Sequence, residues 1–390
     1  MKMHDYADRL KRLPFYLYPT IEETTHQAIE NGQDIIDLST GDPAFVTPRY
    51  IVEKLQEAAE DPSTHHYGSL AGYPPFRESI SGWYHKRFGV NLDSDREIIT
   101  FIGSKEGIAF LPLAFIDDGD IALIPDPGYP TYRHAAAFAN AELQTFPIRP
   151  ENNYEPDFSE IPKSIAEKAK IIFLNYPNNP TAATVDKGFF KRAVDFADKY
   201  NIIICHDAAY SEVTFDGYKA PSLLEIEEAK EVGVEFHTLS KTFCMTGWRV
   251  GFAVGNSKII KGLLEVKRVS ASGHFAAIEI AGMEALDREP PELDCNNQKL
   301  RERRDFVIEK LNRFGIDIRP PRGSFYIWFP IPKEKNSLNF ARRLILETGV
   351  ITFPGIGYGN NGEGYLRIAI VQELPRIKEA FDRLEPYLRS

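Results

Sequence analysis

Short apolar runs alternate with helical patterns through the middle of the chain. Ile98–Ile102 is apolar almost throughout and predicts a strand, and Ser104–Phe115 predicts the helix after it. Ile121–Ile124 and Ile171–Leu174 predict further strands. Asp186–Tyr200 predicts a helix with Phe189, Phe190, Ala193, Val194 and Ala197 on one face. Ile202–Cys205 and Phe236–Leu239 are again strand-like. Runs this apolar suit strands covered on both faces. Strand and helix in alternation predict an α/β layer with a largely parallel sheet.

The last hundred residues follow a different pattern. Lys299–Phe314 predicts a helix with Leu300, Val307, Leu311 and Phe314 at helical spacing, closed by Gly315. Ser324–Phe329 predicts a strand, Asn339–Thr348 a helix, Tyr365–Ile370 a strand and Pro375–Leu388 a closing helix. That is an α+β unit. The pair Pro290-Pro291 marks a boundary before it. The N-terminal stretch is expected to pack with this second unit.

A chain of 390 residues is long for one core and favours two domains. Its 43% hydrophobic and 26% charged content is that of a globular protein, not of a disordered or low-complexity chain. The net charge of −10 makes nucleic acid a poor partner. The apolar stretch Gly107–Ile116 falls far short of the ~20 residues a bilayer span needs. Met1–Leu10 alternates charged and apolar residues and has no secretory apolar core. Cys205, Cys244 and Cys295 include no CxxC pair and are odd in number. Neither a four-cysteine zinc site nor a disulfide framework is expected, no metal is predicted, and a reducing, cytoplasmic compartment fits.

In parallel sheets ligands bind outside the carboxyl ends of the strands. Four such ends here carry polar groups: Gly103-Ser104-Lys105, Asn175 to Thr181, His206-Asp207 with Tyr210, and Ser240-Lys241. Four together point at one shared site. Lys241 admits two local readings, a solvated surface charge or a desolvated amine able to form a Schiff base. Asp207 reads either as a helix cap or, with Tyr210, as a ligand contact. Gly103-Ser104-Lys105 reads as an ordinary N-cap or as a phosphate site at a helix start. Gly355-Ile356-Gly357-Tyr358-Gly359 lacks the spacing of a dinucleotide loop. No GxxxxGK[ST], HExxH or GxSxG occurs.

Taken in order, these segments resemble the fold type I pyridoxal-phosphate (PLP) aminotransferases of class I/II over nearly the whole chain. Ser240-Lys241 with Arg249, eight residues on, matches the lysine signature. Asn175–Thr181 is similar to the NPxNPTG segment, Asp207 with Tyr210 to the DxxY pair, and Leu366-Arg367-Ile368-Ala369 to the C-terminal arginine motif. The resemblance implies an α/β fold with a large, mostly parallel-sheet domain and a smaller α+β domain. Residues 1–44 would form an arm and part of the small domain, 45–285 the PLP-binding domain, and 286–390 the small domain.

The same resemblance implies the roles. Lys241 would carry PLP and move the substrate's α-proton. Asp207 would pair with the pyridine nitrogen, Tyr210 and Asn179 with the phenolic oxygen, and Tyr129 would stack on the ring. Gly103, Ser104, Lys105, Thr238, Ser240 and Arg249 would hold the phosphate, and Tyr67 would reach it from the other subunit of a homodimer. Arg367 and Gly41 would hold the substrate α-carboxylate, and Lys105 a distal carboxylate.

Within the family, His206–Glu212, Met245–Arg249 and Pro125–Pro130 are similar to the subgroup acting on LL-diaminopimelate, with 2-oxoglutarate as acceptor. Ala182 departs from the usual glycine. Leu70 stands where some members place a glutamate for the distal ammonium. An aspartate or broad-specificity aminotransferase stays open, as does a PLP-dependent lyase. A PLP-binding transcription regulator would need ~50 residues more for a DNA-binding domain. The chain starts only ~40 residues before the Gly41 motif, too few for one.

Overall fold

The computed structural model describes residues 5–288, 291–332 and 335–389. A seven-stranded sheet forms the centre. Its strand order is Ile98–Phe101, Gly251–Gly255, Gly233–Thr238, Ile203–Asp207, Ala169–Asn175, Ile121–Asp126 and Glu142–Pro147. Gly251–Gly255 runs antiparallel to both its neighbours, and the remaining pairs are parallel.

Alternation along each strand sorts side chains to two covered faces. Ile171 and Phe173 join Phe101, Phe236, Ile108 and Leu111 on one face. Ile172 and Leu174 join Ile204, Tyr84, Phe189 and Phe190 on the other. Ser104–Phe115 and Ser257–Ser270 cover the first face; Pro74–Phe88, Lys187–Tyr200 and Ala276–Asp287 cover the second. Double coverage explains why the central strands are apolar throughout. Asp186 caps the Lys187–Tyr200 helix, its Oδ1 accepting from Phe189 N–H at 2.9 Å.

A second core lies around an antiparallel sheet of Phe353–Pro354, Tyr365–Ala369 and Tyr326–Pro330. The helices Pro291–Arg313, Ser337–Thr348 and Leu374–Leu388 belong to it. Ile36–Asp37 pairs in parallel with Val350–Ile351, and Ile21 and Ala28 of the Tyr18–Glu30 helix pack on Ile345 and Ile351. The N-terminal stretch thus builds on the C-terminal core.

Several elements begin a few residues from where the pattern suggests, and two of these shifts have a clear local cause. The helix expected from Lys299 starts at Pro291, which the first helical turn tolerates because that N–H has no intrahelical partner. Pro290 lies outside the described residues. Leu239 opens the turn Leu239–Thr242 instead of ending a strand, because the Thr238 hydroxyl accepts from Ser240 N–H and caps it.

Candidate active site

The four strand ends converge on a cavity of about 230 Å³ at the carboxyl side of the sheet. Gly41, Ser104, Lys105, Tyr129, Asn179, Asp207, Tyr210, Thr238, Ser240, Lys241, Arg249 and Arg367 all line it. Gly103 lies just behind, and Tyr67 is not among the lining residues: it is 97% exposed.

Lys241 projects from a single helical turn that starts where the Gly233–Thr238 strand stops. It is half-buried, and its Nζ donates to the Gly41 carbonyl at 2.6 Å. Burial brings its pKa down to about 8; Arg249 and Arg367 push the same way and Asp42 opposes them. An amine so placed has a substantial free-base fraction near neutral pH.

Asp207 ends the neighbouring strand and is buried. Tyr132 OH donates to its Oδ2 at 2.8 Å and Ala209 N–H to its Oδ1 at 3.2 Å. Burial raises its pKa, and the Tyr132 and Ala209 hydrogen bonds act against that rise. Asn175 ties the next strand end in: its Nδ2 donates to Asp207 O at 2.7 Å and its Oδ1 accepts from Asn179 N–H at 2.7 Å.

Gly103 precedes the twelve-residue Ser104–Phe115 helix at φ 75°. A Cβ there would run into the Arg249 guanidinium, so the glycine lets the arginine approach the helix start. Arg249 itself adopts φ 59° and donates to Thr246 O at 2.8 Å and Ile102 O at 3.3 Å. The helix start, the hydroxyls of Ser104, Thr238 and Ser240, and this guanidinium form a cradle suited to a phosphate.

Across the cavity, Arg367 is 2% exposed. Its Nη1 donates to Asn179 Oδ1 at 2.9 Å, its Nη2 donates to Ser39 O, and its guanidinium lies 4.1 Å from the Tyr326 ring centroid. The Nε is buried without a hydrogen-bond partner among the described residues. Tyr210 and Tyr326 place their hydroxyls 3.1 Å apart. A Cβ on Gly41 would collide with the Tyr326 hydroxyl, so only glycine leaves the backbone this close.

Tyr18 and Tyr326 also line the cavity, and neither follows a parallel strand end. Tyr18 packs on Tyr16 at 5.0 Å and on Phe353 at 4.6 Å. Tyr326 opens a strand paired with the one that carries Arg367, which was the one available signal for it. Leu70 is absent from the lining. An amine, a buried carboxylate, a phosphate cradle and a buried guanidinium around one cavity fit PLP and an amino acid. Among the described residues no group of three or more side chains is placed to hold a metal, and no helix is long and apolar enough to cross a membrane.

The family model for aminotransferases of class I and II matches residues 33–384. The chain is 47% identical over 378 residues to LL-diaminopimelate aminotransferase of Syntrophobacter fumaroxidans, covering 97% of each. It is 46% identical over 383 residues to the enzyme of that name from Aquifex aeolicus, covering 98% of this chain and 99% of the relative. Among solved structures, substrate-bound BacF from Bacillus subtilis is similar with a TM-score of 0.95, 36% identity and 98% coverage of both chains.

Proposed function

The chain belongs to the class I and II aminotransferases, and on that premise we propose that it moves an amino group from LL-diaminopimelate to 2-oxoglutarate. It is a PLP-dependent transaminase with the type I fold. The substrate reading rests on relatives 42–47% identical over nearly their full length that carry that activity in their names.

PLP held in this cavity would supply an electron-accepting ring for the chemistry at the substrate Cα. The rest falls to side chains. Lys241 carries the cofactor and, as free base, moves the proton at Cα. Asp207, buried at its strand end, would hold a proton on the ring nitrogen. Tyr210 and Asn179 would address the phenolic oxygen, and Tyr129 would pack against the ring. Gly103, Ser104, Lys105, Thr238, Ser240 and Arg249 hold the phosphate. Arg367 clamps the α-carboxylate with its planar fork, beside the Gly41 backbone. The Lys105 side chain meets the distal carboxylate. Tyr18, Gly41, Tyr326 and Arg367 line the site from the N-terminal arm and the small domain, and Asp207 and Lys241 from the large domain.

Tyr67 completes the cradle of a second subunit, which makes the working unit a homodimer; its exposure in the single chain supports this. The compartment is the cytoplasm. Aspartate is the second reading, because Lys105 lines the cavity and Leu70 offers a distal ammonium no charge.

The test is a half-reaction. Holoenzyme mixed with amino donor alone should yield pyridoxamine phosphate in stoichiometric amount and then stop. Continuous release of ammonia without an acceptor would make the protein a lyase.

A further inference from the structure

Directly behind the Asp207 and Thr238 strand ends, on the opposite sheet face, lies a cluster of ionisable side chains with no part in the chemistry above. Glu235 has no exposed surface. Its Oε2 lies 2.7 Å from His206 Nδ1 and accepts from Leu223 N–H at 2.8 Å. Its Oε1 lies 2.8 Å from His237 Nε2 and accepts from Tyr84 OH at 2.5 Å and Ser222 OH at 2.9 Å. Five polar groups surround one carboxylate, the two imidazoles with roles set by their tautomers, and Tyr84 OH lies 2.6 Å from His237 Nε2 as well, so the cluster is one closed network.

Position gives the cluster its meaning. His206 immediately precedes Asp207, and His237 immediately precedes Thr238. The two strands pair in parallel with His206 opposite Glu235 and Asp207 opposite Phe236. Phe190 packs edge-on against His206 at 4.7 Å, and Phe252 stacks on His237 at 5.3 Å, so neither imidazole is free to turn away. A core of this kind would be cheaper to build from apolar side chains. Its cost points to a use.

We propose that Glu235 is a positioning residue: by holding His206 and His237 it fixes the strand ends that carry Asp207 and Lys241 and backs the Asp207 carboxylate with two imidazoles. This inference rests on the reading of Asp207 as partner of the ring nitrogen. The groups facing Asp207 are Tyr132, which donates to it, with Tyr129, Tyr210, Tyr326 and Cys205 nearby. Those facing Glu235 are Tyr84, His206 and His237, with Glu212 beyond Tyr84. Burial raises the Asp207 carboxyl, and after Tyr132 and Ala209 it is His206 and His237 that pull it back down. Loosening the imidazoles weakens that pull and frees the strand end that presents Asp207, so the pH dependence of the site changes with it.

The experiment measures PLP affinity of the apoprotein against pH, and kcat/KM against pH of the holoenzyme, for the intact chain, E235Q, D207N and E235Q/D207N. E235Q is expected to move the acid limb of both profiles up by about one pH unit. In the D207N background it should change affinity by less than about twofold, since coupled sites are not additive. Y84F, which removes one donor and no charge, should move the limb the same way by less, and it serves if E235Q does not fold. An affinity loss equal at every pH, or equal in both backgrounds, overturns the proposal and leaves Glu235 a stabilising residue. A D207N variant with an unchanged affinity profile instead sinks the Asp207 reading itself.

Discussion

Arg367 Nη1 donates to Asn179 Oδ1 across the cavity at 2.9 Å, joining motifs 188 residues apart. The bond aims the guanidinium, whose central carbon lies 4.1 Å from the Tyr326 ring centroid, 5.6 Å from that of Phe353 and 5.2 Å from that of Tyr358. Only a planar, five-donor head serves Asn179, Ser39 and a substrate carboxylate together. We predict that Arg367→Lys raises KM for the amino donor by about 100-fold and leaves the bound cofactor's absorbance unchanged. Steady-state kinetics check this; a KM within twofold of the parent removes the clamp from the account.

Lys241 gives a pH prediction with a definite sign. Its folded pKa, about 8, lies below the ordinary 10.5. The unfolded chain therefore binds more protons between those values, and this group's contribution to apoprotein stability rises with pH through that window. Reactivity moves with the free base. The rate at which apoprotein captures PLP should rise with a midpoint near 8. A midpoint near that of a solvated lysine would show that the side chain is not desolvated. Lys241→Ala should lose the visible cofactor absorbance and drop turnover by at least ~10³-fold.

Asp207 we predict to act electrostatically, never as acid or base. Asp207→Asn keeps the hydrogen bond to Tyr132 within reach but removes the charge. It should still bind PLP, with the acid limb of the affinity profile gone, while slowing α-proton removal by about 100-fold or more in single-turnover absorbance traces. Unchanged single-turnover rates would refute the role.

How much was legible follows from where each residue stands. Thr238, Ser240, Lys241, Asp207 and Asn179 follow apolar strands of a parallel sheet, and topology alone sends those ends to one edge. Arg367 lies inside a strand of the second core and was readable only through its motif. Tyr18 was not readable, since it opens a surface helix at the far end of the chain and enters the cavity by tertiary packing. Tyr132 sits on a helix face where a tyrosine reads as ordinary core, and its bond to Asp207 appears only in three dimensions. Gly251–Gly255 is hidden as a strand by the glycine at each end, and it is the antiparallel member of the sheet. The half-polar edge strand Glu142–Pro147 was missed because one of its faces is not core.

Tyr67 tests the shared site. Nearly fully exposed in one chain, it is not among the residues that line the site of its own subunit. Mixing Lys241→Ala with Tyr67→Ala protomers should restore activity above the average of the two parents, because a hybrid dimer holds one intact site. Activity that never exceeds that average, in a mixture shown to exchange subunits, would contradict a site built from two chains.

The central claim is the substrate, and discrimination must come from its distal end, because Arg367 serves every α-carboxylate. LL-diaminopimelate presents a distal carboxylate and ammonium, whereas aspartate presents a carboxylate alone. An unanswered buried charge costs several kcal/mol, so the wrong substrate should show in the kinetics. The most direct measurement is kcat/KM for LL-diaminopimelate against that for L-aspartate, each with 2-oxoglutarate, on the holoenzyme. The account predicts a ratio above one by at least about tenfold; a ratio well below one would contradict it and leave a general aminotransferase.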